Sequence, residues 1–140
     1  MKVKRFEDLQ VWQDARMFVK SIYELTSFDN FKKDFGLKDQ IQRAAVSIMN
    51  NISEGFERDN NKEFRKFLGY SKGSAGEVRS MLYIALDLKY ISKEEFNSNY
   101  QNAVNIITQI ANFKKYLHNY SASEKLKTVK SFILQIIKIG

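Results

Sequence analysis

The sequence predicts an all-α protein, an antiparallel up-down-up-down four-helix bundle followed by a short C-terminal fifth helix. Three observations support this fold class. The 140 residues contain no proline, which favours long uninterrupted helices. Four stretches carry apolar residues at intervals of three and four, so each has one apolar helical face. Asn60 with Glu63 and Ser92 with Glu95 have the spacing of capping boxes, which mark helix starts. Amphipathic helices joined by short links bury their apolar faces together in such a bundle.

The first helix follows a short basic lead-in and ends near Ser27. Its apolar stripe comprises Leu9, Trp12, Ala15, Phe18 or Val19, Ile22 and Leu25. Residues 28–36 are rich in turn-forming residues and are expected to link the first two helices. Three phenylalanines of this link are expected to pack onto the end of the bundle: Phe28, Phe31 and Phe35.

The second helix carries two parallel rows of side chains. Its apolar stripe comprises Leu37, Ile41, Ala44, Ile48 and Ile52. A polar row at the same spacing comprises Gln40, Arg43, Ser47, Asn51 and Glu54. Arg43 and Glu54 lie ~16 Å apart along the axis and cannot pair with each other. The row is expected to be a structural contact, satisfied across helices or subunits, and a ligand site is the alternative. The helix is expected to stop at Glu54 and Gly55, with Gly55 as its C-cap.

The third helix, residues 61 to about 88, is basic on the side opposite its apolar stripe. The apolar stripe comprises Phe64, Phe67 or Leu68, Ser71, Ala75, Val78, Leu82 and Ala85. The basic residues are Lys62, Arg65, Lys66, Lys72 and Arg79. Gly69, Gly73 and Gly76 share this side, and each costs a helix about 1 kcal/mol relative to alanine. Close approach by another helix or a partner would explain them, and chance is the alternative.

The fourth helix begins at the Ser92 cap, with Ile91 and Phe96 placed as a hydrophobic staple. Its apolar stripe, Phe96, Tyr100, Ala103, Ile107, Ile110 and Leu117, runs to about Tyr120. We therefore assign residues 1–120 to the bundle and residues 121–140 to an amphipathic extension. The predicted fifth helix starts at Ser121 or Ser123. Its apolar run at 132–139 is expected to pack against another surface, because it would promote aggregation if exposed.

The residue types argue against an enzyme. His118 is the only histidine and there is no cysteine, so the sequence predicts no metal site, no cofactor and no catalytic residue. Glu54 and Glu77 are conceivable as an acid/base pair, but no nucleophile or phosphate-binding loop accompanies them. His118 is interpreted as a surface residue that complements the dipole near a helix end.

The net charge of +7 and pI near 9.5 make polyanions plausible partners. The five basic residues of the third helix are expected to contact phosphates without reading sequence, since aromatic residues are not interleaved with them, Tyr83 excepted. An ordinary solvated face is the alternative. The chain lacks an apolar run of about 18 residues and an apolar N-terminal segment, which predicts a cytoplasmic protein with no membrane contact.

Three groups of residues also carry a family resemblance. The first is Phe6, Asp8, Leu9, Val11 and Trp12. The second is Gly36, Leu37, Gln40, Ile41, Arg43, Ala44, Ala45, Val46, Ser47, Ile48, Asn51, Ile52, Glu54 and Gly55. The third is Phe64, Phe67, Leu68, Gly73 and Ser74. Over roughly residues 6–117 the chain resembles the four-helix-bundle proteins encoded in intervening sequences of 23S ribosomal RNA genes.

The resemblance implies a four-helix bundle, usually assembled as a ring-like homopentamer, with no established enzymatic activity. Relatives of that family include the accessory protein of diversity-generating retroelements, a basic pentamer that binds nucleic acid and a reverse transcriptase. This chain departs from the pattern at Ser53, where the family often has alanine, and in the tail after Tyr120.

Two functions follow from these expectations. The first is an oligomeric RNA- or DNA-binding accessory factor, with a protein such as a reverse transcriptase as a further partner. The second is a protein-binding scaffold that uses its helical surface or its tail without nucleic acid. The salt dependence of binding affinity distinguishes the two functions, because phosphate contacts weaken steeply as the salt concentration rises and apolar contacts do not.

Overall fold

A computed structural model describes the backbone of residues 3–139 and the side chains of residues 3–120. A single turn of 3-10 helix at Phe6–Asp8 is followed by α1 (Gln10–Leu25), α2 (Asp29–Lys33), α3 (Phe35–Glu57), α4 (Asn61–Asp87) and α5 (Lys93–Ile139). The described residues contain no strand, and the predicted all-α class is confirmed.

The four long helices form a closed bundle. Helix α1 packs against α3 and α5, and α4 packs against the same two helices. Side-chain contacts show that neighbouring helices run in opposite directions: Asp14 contacts Gln109 whereas the later Ser21 contacts the earlier Asn99. The up-down-up-down topology follows from the short links at 58–60 and 88–92, which reverse the chain between consecutive helices.

The predicted apolar stripes meet in the core. Fully buried side chains come from all four long helices: Ile22, Ile41, Ile48, Ile52, Leu68, Val78, Leu82, Ile106, Ile110 and Leu117. Where the pattern left two choices, Phe18 and Leu68 are the core residues, and Val19 and Phe67 lie at the edge. In α5, Ile106 is buried and the predicted Ile107 packs at the edge of the core. Both positions can contact the core because the apolar face of a helix spans about 100° or more.

The predicted start of α5 is confirmed in detail. Ser92 Oγ accepts from the Glu95 backbone N–H, and a Glu95 carboxylate oxygen accepts from the Ser92 N–H, at 3.0 and 2.8 Å. Ile91 and Phe96 are both buried, as a hydrophobic staple requires. At the start of α4, the Asn60 side chain accepts from the Glu63 N–H.

The end of α3 differs from the prediction. Gly55 is not a C-cap, because the helix continues through it to Glu57 and Gly55 is buried. A Cβ at Gly55 would lie 2.7 Å from Phe67 Cβ and 3.3 Å from the Phe64 carbonyl oxygen. The glycine is needed because α4 packs against it, and the sequence pattern does not separate this role from capping.

The link at 28–36 contains the short helix α2, which was not predicted. Phe31 is buried as expected, but Phe28 and Phe35 are 60% and 74% exposed. Asp34 caps α3 by accepting from the Leu37 N–H, so α3 begins at Phe35. Phe35 precedes the buried Leu37 by two residues, about 200° around the helix, and therefore faces solvent.

The tail is helical but does not form a separate fifth helix. Helix α5 runs without a break from Lys93 to Ile139, past the predicted end at Tyr120 and the predicted starts at Ser121 and Ser123. No glycine or proline interrupts residues 93–139, so a helix started at Ser92 has no local reason to stop. The side chains of 121–140 lie outside the described residues, and the docking of the tail stays a prediction. None of the described helices is long and apolar enough to cross a membrane.

Candidate nucleic-acid interface

The outer side of α4 carries the predicted basic residues between α3 and α5. Lys62, Lys66 and Lys72 are exposed to solvent. Lys66 has one acidic neighbour, Glu63, at 4.0 Å on the same helix. Exposed pairs of this kind contribute little energy, so all three ammonium groups are available to a ligand.

Arg65 is half-buried and points towards α5. Its Nη1 donates to Nδ1 of His118 at 2.9 Å. A guanidinium group has only donors, so this contact requires Nδ1 to be the unprotonated ring nitrogen. The Arg65 Nε is buried without a hydrogen-bond partner among the described residues. His118 therefore positions an arginine at the α4–α5 seam, and it does not complement a helix end, since α5 continues beyond it.

Arg79 is also held by α5. Its guanidinium lies over the Tyr100 ring, 5.1 Å from the ring centroid, and its Nη2 donates to the Tyr100 hydroxyl at 3.3 Å. The five predicted residues therefore divide into three free lysines and two arginines anchored on the neighbouring helix. The sequence pattern did not indicate this division, because it does not show which side of α4 faces α5.

Helix α5 adds basic residues that the sequence-based prediction missed. Lys114 Nζ would lie 3.3 Å from a Cβ built on Gly69, which places its ammonium group over α4. Lys115 is exposed beside it in the sequence. Residues 64–76 and 96–120 contain no Asp or Glu. The α4–α5 seam is therefore positive along α4 and at Lys114 of α5, with Glu63 and Glu77 as the acidic residues of α4 next to it in the sequence. We call its cations the basic seam: Lys62, Arg65, Lys66, Lys72, Arg79 and Lys114.

The other glycines on this side of α4 face open space. A Cβ at Gly73 or Gly76 would have no heavy atom within 4 Å. No helix of the described chain approaches them, so the close contact expected from their sequence positions is not formed within the chain. Their backbone is accessible from outside the bundle.

Two exposed tyrosines lie on the same helix as the cations. Tyr83, 49% exposed, packs edge-on against Phe96 and Tyr100. Its pKa is raised by a hydrogen bond with Tyr100, then by the charge of that phenol and by loss of hydration, and Arg79 opposes the shift. Tyr70, 50% exposed, packs edge-on against Phe67 and follows Lys66 by four residues. The sequence analysis named only Tyr83.

The polar row of α3 borders a different surface. An open groove of about 510 Å³ between α3 and α4 is lined by Gln40, Arg43, Ala44, Ser47, Ser74, Glu77, Ser80 and Met81. Within it, Ser74 Oγ donates to Ser47 Oγ at 3.0 Å, and Asn51 Nδ2 donates to the Ser47 carbonyl and hydroxyl oxygens. Ser47 thus makes the contact between helices that was expected for the row.

Arg43 and Glu54 do not follow that expectation. Arg43 pairs with Asp39 at 2.9 Å and Glu54 pairs with Arg58 at 3.0 Å, in both cases four residues away on α3. The prediction considered partners on other helices and overlooked these local ones. Glu77 lines the α3–α4 groove and Glu54 does not, so the structure does not bring the two glutamates to one site. The described residues contain no cluster of three metal-ligating side chains.

A model of the family described as 23S rRNA-intervening sequence protein matches residues 7–112. The chain belongs to this family. The matched region includes α1 to α4 and α5 as far as residue 112, whereas the buried Leu117 and the His118 that contacts Arg65 lie beyond it.

The fold is also present in a solved structure. That structure is a crystal structure at 1.70 Å of a protein with unknown function from the S23 ribosomal protein family of Bacteroides thetaiotaomicron. It has a TM-score of 0.69 and 24% identity, and the alignment covers 75% of this chain and 98% of the other. A search of curated proteins finds no match.

Proposed function

We propose that this protein is a non-enzymatic, cytoplasmic homo-oligomer, a pentamer in its simplest form, that binds RNA or DNA without regard to sequence as an accessory factor. The observation that carries the proposal is the basic seam, where five cations of α4 and Lys114 of α5 outnumber the two acidic residues of α4 beside them, Glu63 and Glu77. A polyphosphate backbone is the common ligand with matching charge and length.

Counterion release makes the proposal quantitative. Each phosphate neutralised by a lysine or arginine contributes a slope of about −0.9 on duplex or about −0.7 on a single strand to the plot of log affinity against log salt. A symmetric oligomer repeats the seam on each subunit, so a nucleic acid long enough to reach several copies gains from all of them.

The test replaces Lys62, Lys66 and Lys72 together with glutamine. These lysines are exposed, so the change removes three charges and leaves the core intact. We expect affinity for unrelated nucleic-acid sequences to fall to a similar extent. The salt slope should become shallower by about 0.7–0.9 for each phosphate that the variant no longer neutralises. Fluorescence anisotropy at several salt concentrations measures both quantities.

The matched control replaces Lys20, Lys32 and Lys33 with glutamine, which makes the same charge change on exposed residues of α1 and α2. The control variant is expected to keep most of its affinity. Equal losses in the two variants would mean that net charge alone attracts the nucleic acid. Wild-type affinity and slope in the seam variant would refute the proposed interface.

The scaffold alternative also has a specific observation in its favour. Phe28 and Phe35 expose large apolar rings near the link between α1 and α3. If a protein such as a reverse transcriptase binds there, replacing both residues with serine will weaken that complex at low and high salt alike. The seam variant would leave such a complex unchanged.

A further inference from the structure

We infer that the exposed side of α4, from the basic seam across to Tyr70 beside the α3–α4 groove, takes single-stranded nucleic acid, with Tyr70 and Tyr83 stacking on unpaired bases. The inference rests on the proposed function and adds the class of ligand. It starts from two features that lysines alone do not explain: an aromatic ring at each edge of the exposed side of α4, and the position of α4 within the bundle.

Each tyrosine follows a basic residue by four positions. Tyr70 comes one turn after Lys66, and Tyr83 comes one turn after Arg79. Residues four apart are neighbours on a helix surface, with Cβ atoms about 5–6 Å apart. A cation and a planar ring at that spacing suit the phosphate and the base of one nucleotide. Such rings bind bases with little regard to sequence, because every base presents a π-face.

Helical rotation places the two pairs on opposite sides of the glycines. From Gly73, Tyr70 is three residues back, and Tyr83 is ten residues on. At 100° per residue these positions lie about 60° to one side and about 80° to the other, and they are about 20 Å apart along the axis. A flexible strand crossing α4 obliquely would meet both rings over the open backbone at Gly73 and Gly76 and would pass the exposed Glu77 carboxylate, from which its phosphates must turn away.

The bundle geometry disfavours deep contact with a duplex. The major groove of DNA is about 12 Å wide and admits one helix. Helix α4 is flanked by α3 and α5, so its exposed side is part of a surface three helices wide. A duplex would therefore meet the lysines through its outer phosphates, and its stacked bases would stay out of reach of Tyr70 and Tyr83.

The chemistry of the anchored arginine supports the same assignment. Arg79 lies over Tyr100, which in turn contacts Tyr83. The cation and ring are thus held in place before a ligand arrives, which lowers the entropy lost on binding. Tyr83 and Tyr70 keep about half of their surface open, so each offers area to a base.

The experiment compares a thymidine oligomer of about 20 nucleotides with a duplex of the same length, which exceeds the 4–16 nucleotides typical of one single-strand site. Wild-type protein is expected to bind the single strand at least about fivefold more tightly at equal salt. The variant Tyr70→Ser with Tyr83→Ser should lose at least about fivefold for the single strand, little for the duplex, and nothing in salt slope. Tyr70→Phe with Tyr83→Phe should retain binding, because the ring and not the hydroxyl stacks.

The control is Tyr23→Ser, which removes a tyrosine of similar exposure, 46%, from α1. Circular dichroism and light scattering on each variant check helicity and mass, and Tyr70→Ser alone serves if the loss of Tyr83 from its aromatic cluster unfolds the protein. Equal affinity for both probes, loss of binding in the phenylalanine variant, or a changed oligomer mass in the serine variant overturns the inference. If one of these results overturns the inference but the triple lysine variant still loses binding, the proposed function is retained.

Discussion

Tyr90 and Asp34 show how a single residue pair ties distant parts of the chain together. The Tyr90 hydroxyl donates to one carboxylate oxygen of Asp34 at 3.0 Å. The other oxygen of Asp34 accepts from the Leu37 backbone N–H and caps α3. The hydrogen bond to Asp34 raises the pKa of Tyr90, with loss of hydration and the carboxylate charge as further causes.

The sign of the pH effect follows from that direction. A tyrosine with a raised pKa in the folded state contributes stability that is fully present below its unfolded pKa of about 10 and is lost as pH rises through the folded value. We expect Tyr90→Phe to lower the midpoint of urea unfolding at about pH 8, and this deficit to shrink as the pH rises above about 10 and through the raised folded-state pKa of the wild-type phenol. Tyr23→Phe, on an exposed face of α1, is the control. A deficit that stays constant across this range would contradict the raised pKa of Tyr90, and no deficit at about pH 8 would show that the hydroxyl adds no stability.

At the scale of an element, the glycines of α3 and α4 look alike in the sequence and differ in the structure. Gly55 lies against the Phe64 and Phe67 region of α4, where no Cβ fits. Gly73 is exposed and has nothing near it. Two substitutions of the same kind should therefore change stability in opposite directions.

We expect Gly55→Ala to destabilise the protein by about 1–3 kcal/mol, because the added methyl group must push α3 and α4 apart. Gly73→Ala should stabilise it by up to about 1 kcal/mol, because alanine has the higher helix propensity and open space around it. Chemical denaturation measures both. A stabilising Gly55→Ala would contradict the close packing of α3 on α4. If Gly73→Ala stabilises the chain but weakens nucleic-acid binding, the exposed glycine serves the ligand.

At the scale of the whole molecule, exposed surface is available for assembly, and the net charge of +7 opposes it through repulsion between like-charged chains. The open groove between α3 and α4 lies beside the polar row, and large apolar rings are exposed at Phe28 and Phe35. Apolar residues that face solvent in a free chain often mark contacts with another chain. The cations of the basic seam lie towards α5, whereas Tyr70 shares a face of α4 with Ser74 and Met81 of the α3–α4 groove, so a strand that reaches Tyr70 would border that groove.

We therefore expect light scattering at micromolar concentration to give about five times the 16.4 kDa of one chain. Replacing Phe28 and Phe35 with serine should reduce the mass if these rings join subunits, and the triple lysine variant should keep it. A mass near 16.4 kDa for the wild-type protein would contradict the oligomer. The exposed rings of Phe28 and Phe35 would then be candidates for binding a different protein.

Particular residues show which features of the structure could be predicted from the sequence. The core stripes, the Ser92 cap and the exposure of Lys62, Lys66 and Lys72 follow from helical periodicity, because neighbours three or four apart share a face whatever surrounds the helix. The predictions that were wrong, Gly55 as a C-cap and Phe35 packed on the bundle end, rested on capping and turn patterns instead. In those places the outcome depended on where a neighbouring helix packed and on which residue started the helix.

The sequence by itself determined the all-helical class, the four amphipathic helices and the basic side of α4, since these depend on composition and on spacing within one helix. Only the tertiary structure decided that Arg65 and Arg79 are anchored by His118 and Tyr100, and that Lys114 extends the basic surface. Contacts between helices depend on the relative rotation of two elements distant in the chain, and periodicity within each element leaves that rotation open.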